Sequence, residues 1–277
     1  MSSPRVITVL IATLLSVACS MSDSEERQFG GEYVQQINAQ LPLVADTRVT
    51  GYVDALGKEI ARKTSRGSLD WKFFVVDSRD VNAFAVPGGF VYVNRGLIER
   101  ATTLDQLAGV LGHEIGHIVE RHSVEQMKKA TGANIGVTLL CTLTSVCESG
   151  LSRVAINVAG SALFAKYSRS AEMEADSQAV INVINAGIHP DGIPEFFQIL
   201  LAERRRNPNV LEGFFASHPL EESRVDHTRQ LIREYGDDRV RGLTRDDAGF
   251  QQFKAIVAAL PPPVRPPTGR SGSSPTY

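Results

Sequence analysis

Apolar positions recur at helical spacing through the first stretch of the chain: Tyr33, Ile37 and Leu41, then Val53, Leu56 and Ile60. That spacing predicts two helices between residues 25 and about 63, separated near Pro42, where a missing N–H and a ring clash end a helix. The period then changes. Trp71-Lys72-Phe73-Phe74-Val75-Val76 is rich in aromatic and β-branched residues and reads as a strand. Residues 82–86 and 90–94 flank Pro87-Gly88-Gly89, the chemistry of a type II turn, so these two segments are expected to pair as a hairpin. Thr103-Leu104-Asp105-Gln106 has the form of a capping box, and Leu107, Leu111 and Ile118 continue from it as an amphipathic helix. Further helical patterns fall at about 170–186, 192–206 and 220–235, and no internal repeat is present.

The ends of the chain and one internal stretch break this pattern. Residues 1–18 carry one charge, Arg5, and an apolar run over 6–18 that is shorter than the roughly 20 residues a bilayer span needs. They read as a signal peptide. Leu15-Ser16-Val17-Ala18-Cys19 resembles a bacterial lipobox, which makes Cys19 the expected lipidation site, and Ser20 fits sorting to the outer membrane; the alternative is a plain secretory signal ending near Ala18. Residues 130–167 hold only Glu148, Arg153 and Lys166 as charges, yet are too polar for a spanning helix. This segment reads either as a buried or membrane-facing helical hairpin over the site or as an ordinary core insertion. Residues 261–277 contain six prolines with Gly and Ser and are expected to form a disordered tail. The expected organisation is therefore a signal over 1–18, one folded domain over 19–260 and a tail over 261–277.

Composition narrows the function classes. With 43% hydrophobic and 22% charged residues in 277, the chain is neither a disordered polyelectrolyte nor a multi-span membrane protein. A net charge of −2 gives no general drive toward nucleic acid or anionic lipid, so partners are to be read from local sites. Three cysteines are too few for a disulfide scaffold. Apart from Cys19, Cys141 and Cys147 stand six positions apart, and in an oxidising compartment they form either a disulfide or two small buried thiols; spacing alone does not decide.

The six histidines carry the chemistry. His113-Glu114-Ile115-Gly116-His117 lies within the capped helix. Residues i and i+4 differ by about 40° around a helix and stand about 6 Å apart along it, so both imidazoles can reach one tetrahedral cation. Glu114 sits beside that face, where it can take a proton from an attacking water. A catalytic zinc site has three protein ligands and one open position, so a third ligand must come from elsewhere. The metzincin spacing is excluded, because Glu120 and Ser123 stand where that class has Gly and His. His122 falls one position short and is expected to pack or cap the helix end. The third ligand is expected from Ser170-Ala171-Glu172-Met173-Glu174-Ala175-Asp176. There a helix puts Glu172 and Asp176 on one face, with Glu174 about 200° away from Glu172. Glu172 can then ligate while Asp176 accepts a hydrogen bond from the far nitrogen of a ligand imidazole. His189 and His227 are expected to have no catalytic role.

Taken in order, Asn82-Ala83-Phe84-Ala85 with Pro87-Gly88-Gly89, the His113 motif, Glu172-x-x-Ala175-Asp176, and Ser217-His218-Pro219 followed by Arg224 resemble the CAAX prenyl protease and HtpX type of zinc metallopeptidases. The resemblance runs from about Val53 to about Tyr235. It implies a mainly helical α+β fold of zincin type, with a small sheet or hairpin beside the His-Glu-x-x-His helix. It further implies one zinc ion on His113, His117 and Glu172, Glu114 as catalytic acid and base, and His218 and Arg224 over the metal near the scissile carbonyl. No transmembrane helix is expected after the signal, which points to the stand-alone bacterial lipoprotein branch of that family. Asn82, Ala83, Phe84 and Ala85 would form an edge strand that pairs with an extended substrate. The expected activity is a periplasmic zinc endopeptidase anchored to the outer membrane and acting on unfolded or misassembled envelope proteins. The alternative is a zinc-containing assembly factor or chaperone with little or gated proteolysis.

Overall fold

The computed structural model describes residues 21–127, 129 and 166–263. The expected signal peptide, Cys19, Cys141, Cys147, nearly all of the 130–167 segment and the tail from 264 onward lie outside the described residues. Helix α1 (Asp23–Gln40) starts on a capping box in which Ser22 and Glu25 satisfy each other's backbone N–H groups. Asp46 accepts from the backbone N–H of Arg48 to open α2 (Thr47–Ala61), so the chain does break around Pro42 as the pattern predicts.

Three strands follow, β1 (Lys72–Val76), β2 (Ala83–Val86) and β3 (Phe90–Asn94), in the order β1-β3-β2. The expected hairpin forms: β2 and β3 are antiparallel, from Ala83 opposite Val93 to Val86 opposite Phe90. Its turn needs left-handed backbone at Gly88 (φ 92°) and Gly89 (φ 104°), which only glycine adopts without strain. Strand β1 joins the far side of β3 in parallel, Lys72 opposite Phe90, and this leaves β2 at the edge of the sheet. Phe74, Tyr92 and Phe84 stack across the three strands at 4.7 Å on the face that receives Val34 and Ile37 of α1. The other face, with Phe73, Val75, Ala83, Ala85, Val91 and Val93, enters the main core.

After α3 (Arg95–Arg100), α4 (Leu104–Val119) carries the His-Glu-x-x-His sequence. It is not the amphipathic helix its sequence suggests, because every residue from Leu104 to Ile118 is buried. The helix runs through the middle of the molecule, against α2, the sheet, α5 (Arg169–Asn185) and α6 (Gly192–Arg206). The expected capping box is not made either. Thr103 makes no side-chain cap, and the Gln106 side chain accepts instead from Thr102 N at 2.8 Å. The first-turn backbone donors, which have no partner within the helix, are satisfied from far along the chain: Leu104 N donates to Asp246 Oδ1 (3.2 Å) and Asp105 N to Arg245 O (2.9 Å).

Helices α7 (Pro208–Ser217), α8 (Glu222–Tyr235), α9 (Asp237–Val240) and α10 (Ala248–Ala259) complete the described chain. Of these, α7, α9 and α10 are not anticipated by the periodicity. Pro208 opens α7 at a position where the absent N–H costs nothing, and Tyr52 of α2 stacks on Phe253 of α10 at 4.2 Å. The result is the mainly helical α+β arrangement with a small sheet. No helix among the described residues is long and apolar enough to cross a membrane.

Candidate metal centre

The most extensive helix-on-helix contact among the described residues is α4 against α5, and glycines let it form. A Cβ on Gly112 would stand 3.2 Å from Val183 Cγ1, and one on Gly116 would stand 2.9 Å from the Ala175 carbonyl oxygen. With hydrogen in place of side chains at these two positions, α5 lies directly on α4. Glu172 and Asp176, both fully buried, then reach the imidazoles of His113 and His117.

The distances are those of a ligand shell. His113 Nε2 and His117 Nε2 are 3.0 Å apart, His117 Nε2 and Glu172 Oε1 3.4 Å, and His113 Nε2 and Glu172 Oε2 3.6 Å. A tetrahedral zinc with bonds of about 2.0–2.2 Å holds its ligand atoms about 3.3–3.6 Å from one another. His218, in the turn after α7, brings Nδ1 to 3.2 Å from Glu172 Oε1 and Nε2 to 3.7 Å from Glu114 Oε1. His113, His117, Glu172 and His218 can each offer one atom such that all four lie within 4.8 Å of one another.

Two further observations fit a divalent cation here. Buried polar atoms with no hydrogen-bond partner gather at this point: both oxygens of Glu114 and His218 Nε2. Such atoms are costly unless something absent from the protein chain satisfies them. The charges agree. Three buried carboxylates, Glu114, Glu172 and Asp176, face one buried guanidinium, Arg224, and the His218 imidazole, which Glu114 and Glu172 hold toward its charged form, so the cluster is still one positive charge short.

Burial pushes the Glu114 carboxyl above the usual carboxylate range, against the pull of His218 and His113. Burial also takes His117 well below an ordinary imidazole, keeping it neutral and able to ligate. At Glu172 burial works upward but is overcome by the positive charge of His218 and Arg224, and the carboxyl ends well below its ordinary value. Asp176 is lowered in the same way, mainly by Arg224. His218 goes up: burial opposes this, but Glu114 and Glu172 prevail.

Arg224 is where the geometry departs most from expectation. Its Nε and Nη2 each donate to Asp176 at 2.7 Å, Nη1 donates to Pro219 O at 3.1 Å and lies 2.5 Å from Glu172 Oε2, and the guanidinium packs over the Phe197 ring. A guanidinium engaged with two carboxylates is not free to meet a carbonyl above the metal. It clamps Asp176, whose Oδ1 is 2.9 Å from His113 Nδ1.

His122 is not simply a packing residue, since its Nδ1 is 2.9 Å from His117 Nδ1. Glu174 does not point away from the site altogether, since its Oε2 lies 3.1 Å from His122 Nε2. Tyr167 stacks on the His117 ring at 3.9 Å and shares a hydrogen bond with Ser123; no spacing in the sequence signals that contact. His189 serves a helix start, accepting from Asp191 N, and His227 Nε2 meets Ser177 Oγ. Asn82 precedes β2 and Ala83, Phe84 and Ala85 lie in it, on the outer strand of the sheet beside α4.

Comparison with known proteins agrees with this geometry. The model of peptidase family M48, whose metalloproteases are zinc-dependent, matches residues 47–232, a span containing every side chain of the cluster. The beta-barrel assembly-enhancing protease of Escherichia coli strain K12 is 29% identical over 229 residues, covering 79% of this chain and 46% of that protein. The chain thus spans about half the length of such relatives. Two metalloproteases of the same strain are matched over most of their length: YcaL is 28% identical, covering 78% of this chain and 83% of its own, and LoiP is 27% identical, covering 79% and 85%. The ordered motifs, the buried His–Glu cluster and the extent of the match lead to one conclusion: the chain belongs to peptidase family M48.

Proposed function

We propose that this protein is a zinc endopeptidase of the bacterial periplasm, held at the outer membrane by a lipid on Cys19, that hydrolyses peptide bonds in unfolded or misassembled envelope proteins. The observation that carries the hydrolytic reading is the meeting of His113, His117 and Glu172 at ligand-shell distances, with the unpartnered carboxylate of Glu114 beside them. Zinc held by these three side chains would supply a Lewis acid. The rest falls to the chain's own residues. Glu114, with both oxygens free and its carboxyl raised by burial, accepts the proton of the attacking water and returns it to the leaving amine. His218 Nε2 faces the same space and offers a donor to the developing oxyanion. Asp176, clamped by Arg224, holds His113.

The edge position of β2 supports a substrate that lies extended along Asn82, Ala83, Phe84 and Ala85, which favours unfolded segments over folded domains. The lipobox-like run before Cys19 supports export and anchoring, and the name of the E. coli beta-barrel assembly-enhancing protease supports clients among envelope proteins. A second reading, an assembly factor with gated or little proteolysis, draws on His218 lying among the potential ligands, where it could close the fourth position. Incubation of the purified protein with unfolded casein, with and without a chelator, beside Glu114→Gln, tests both. Chelator-sensitive cleavage that Glu114→Gln abolishes while retaining zinc supports the peptidase. Client binding that survives in Glu114→Gln, with no cleavage by the wild type, supports the assembly factor.

A further inference from the structure

The two histidines of the motif are backed differently. His113 Nδ1 meets the buried carboxylate of Asp176. His117 Nδ1 meets a second imidazole, His122 Nδ1, at 2.9 Å, with the rings 71° apart so that the two nitrogens face each other edge to edge. His122 is buried, and its other nitrogen reaches Glu174 Oε2 at 3.1 Å on the surface of α5.

This chain of contacts determines where the protons sit. A neutral imidazole has one N–H. His117 turns Nε2 toward His113 Nε2 and Glu172, so when that atom binds a cation its proton is on Nδ1. The facing atom, His122 Nδ1, must then accept. The His122 proton is therefore on Nε2, where the Glu174 carboxylate accepts it. Every donor meets an acceptor in this arrangement, and reversing either ring leaves two lone pairs or two N–H groups opposed. We infer that His122, backed by Glu174, is a positioning residue that fixes the tautomer and orientation of His117 as a metal ligand, as Asp176 does for His113. The inference rests on the zinc reading above and extends it to a residue outside the ligand set. Tyr167 adds a further constraint by stacking on a face of the same ring.

The test is a chelator-competition titration of zinc with wild type, His122→Phe and His122→Asn. Phe keeps the ring volume but leaves His117 Nδ1–H without an acceptor. Asn places an amide oxygen near the position of the lost Nδ1. The expected result is zinc affinity weakened about 10–100-fold in His122→Phe and largely restored in His122→Asn, with equal thermal midpoints for the two metal-free variants. Equal zinc affinity in His122→Phe and wild type, or equal loss in both variants, overturns the inference while leaving the zinc site standing. A wild type that takes up no zinc overturns the underlying reading and this one together. Should His122→Phe fail to fold, 15N spectra of histidine-labelled, zinc-loaded wild type decide the matter: protonated Nδ1 on His117 with protonated Nε2 on His122 supports the arrangement, and protonated Nδ1 on His122 overturns it.

Discussion

Replacing Arg224 with Met tests whether the guanidinium holds the site together from behind. The side chain is 5% exposed, donates twice to Asp176, and also touches Glu172 and the Pro219 carbonyl. Met keeps much of the volume and the packing on Phe197 but leaves two buried carboxylates short of their partner. At an effective dielectric of about 20, a contact near 4 Å between unit charges is worth about 4 kcal/mol before desolvation. Relieving the guanidinium of its own burial recovers part of that, so the expected net loss is about 3–5 kcal/mol, the range for removing one partner of a buried pair. The loss should also depend on pH. Asp176 and Glu172 are held below their ordinary values in the folded protein. Such carboxylates stabilise the fold above their unfolded pKa of about 4, and that contribution disappears as pH falls through the lower folded values. The variant lacks most of it. The gap between wild type and Arg224→Met should therefore be full at pH 7 and narrow as the pH drops below about 4. Urea unfolding of both proteins after chelator treatment, from pH 7 to about 3.5, measures this. A gap under about 1 kcal/mol at pH 7, the scale of an exposed pair, or one that stays constant over the whole range, would refute the reasoning.

Two more substitutions probe the same assembly. Gly116→Ala gains about 1 kcal/mol of helix propensity, but its Cβ meets the Ala175 carbonyl oxygen at 2.9 Å and Gln178 Cβ at 3.0 Å. A backbone oxygen cannot swing aside, so α5 must shift, at about 1–3 kcal/mol. Thermal unfolding should show a net loss of about 1 kcal/mol, and zinc uptake should weaken because Glu172 rides on α5; a stabilised variant with wild-type zinc affinity would contradict this. His218→Ala should retain zinc, since His113, His117 and Glu172 already make a three-ligand set, and metal analysis showing the ion lost would point to a closed structural site instead.

Much of the site is legible along the chain because it depends on local geometry. The i to i+4 step that places His113 beside His117, and Glu172 beside Asp176, follows from 3.6 residues per turn. The Pro87-Gly88-Gly89 turn follows from what glycine backbone can adopt, and the break near Pro42 from what proline cannot. Ordered motifs could likewise point to the family without coordinates. Contacts between distant segments are another matter, since no period encodes which faces meet. Strand β1 joins β3 and leaves β2 at the edge, α4 is buried all round and takes its first-turn partners from Arg245 and Asp246, and Arg224 lies on Asp176. His122 reads as a packing residue until the fold carries Glu174 to one of its nitrogens and sets His117 opposite the other. The sequence by itself determined the candidate ligand types and their helical spacing. Only the tertiary structure decided which partners back them, because that depends on how closely α5 can lie on Gly112 and Gly116.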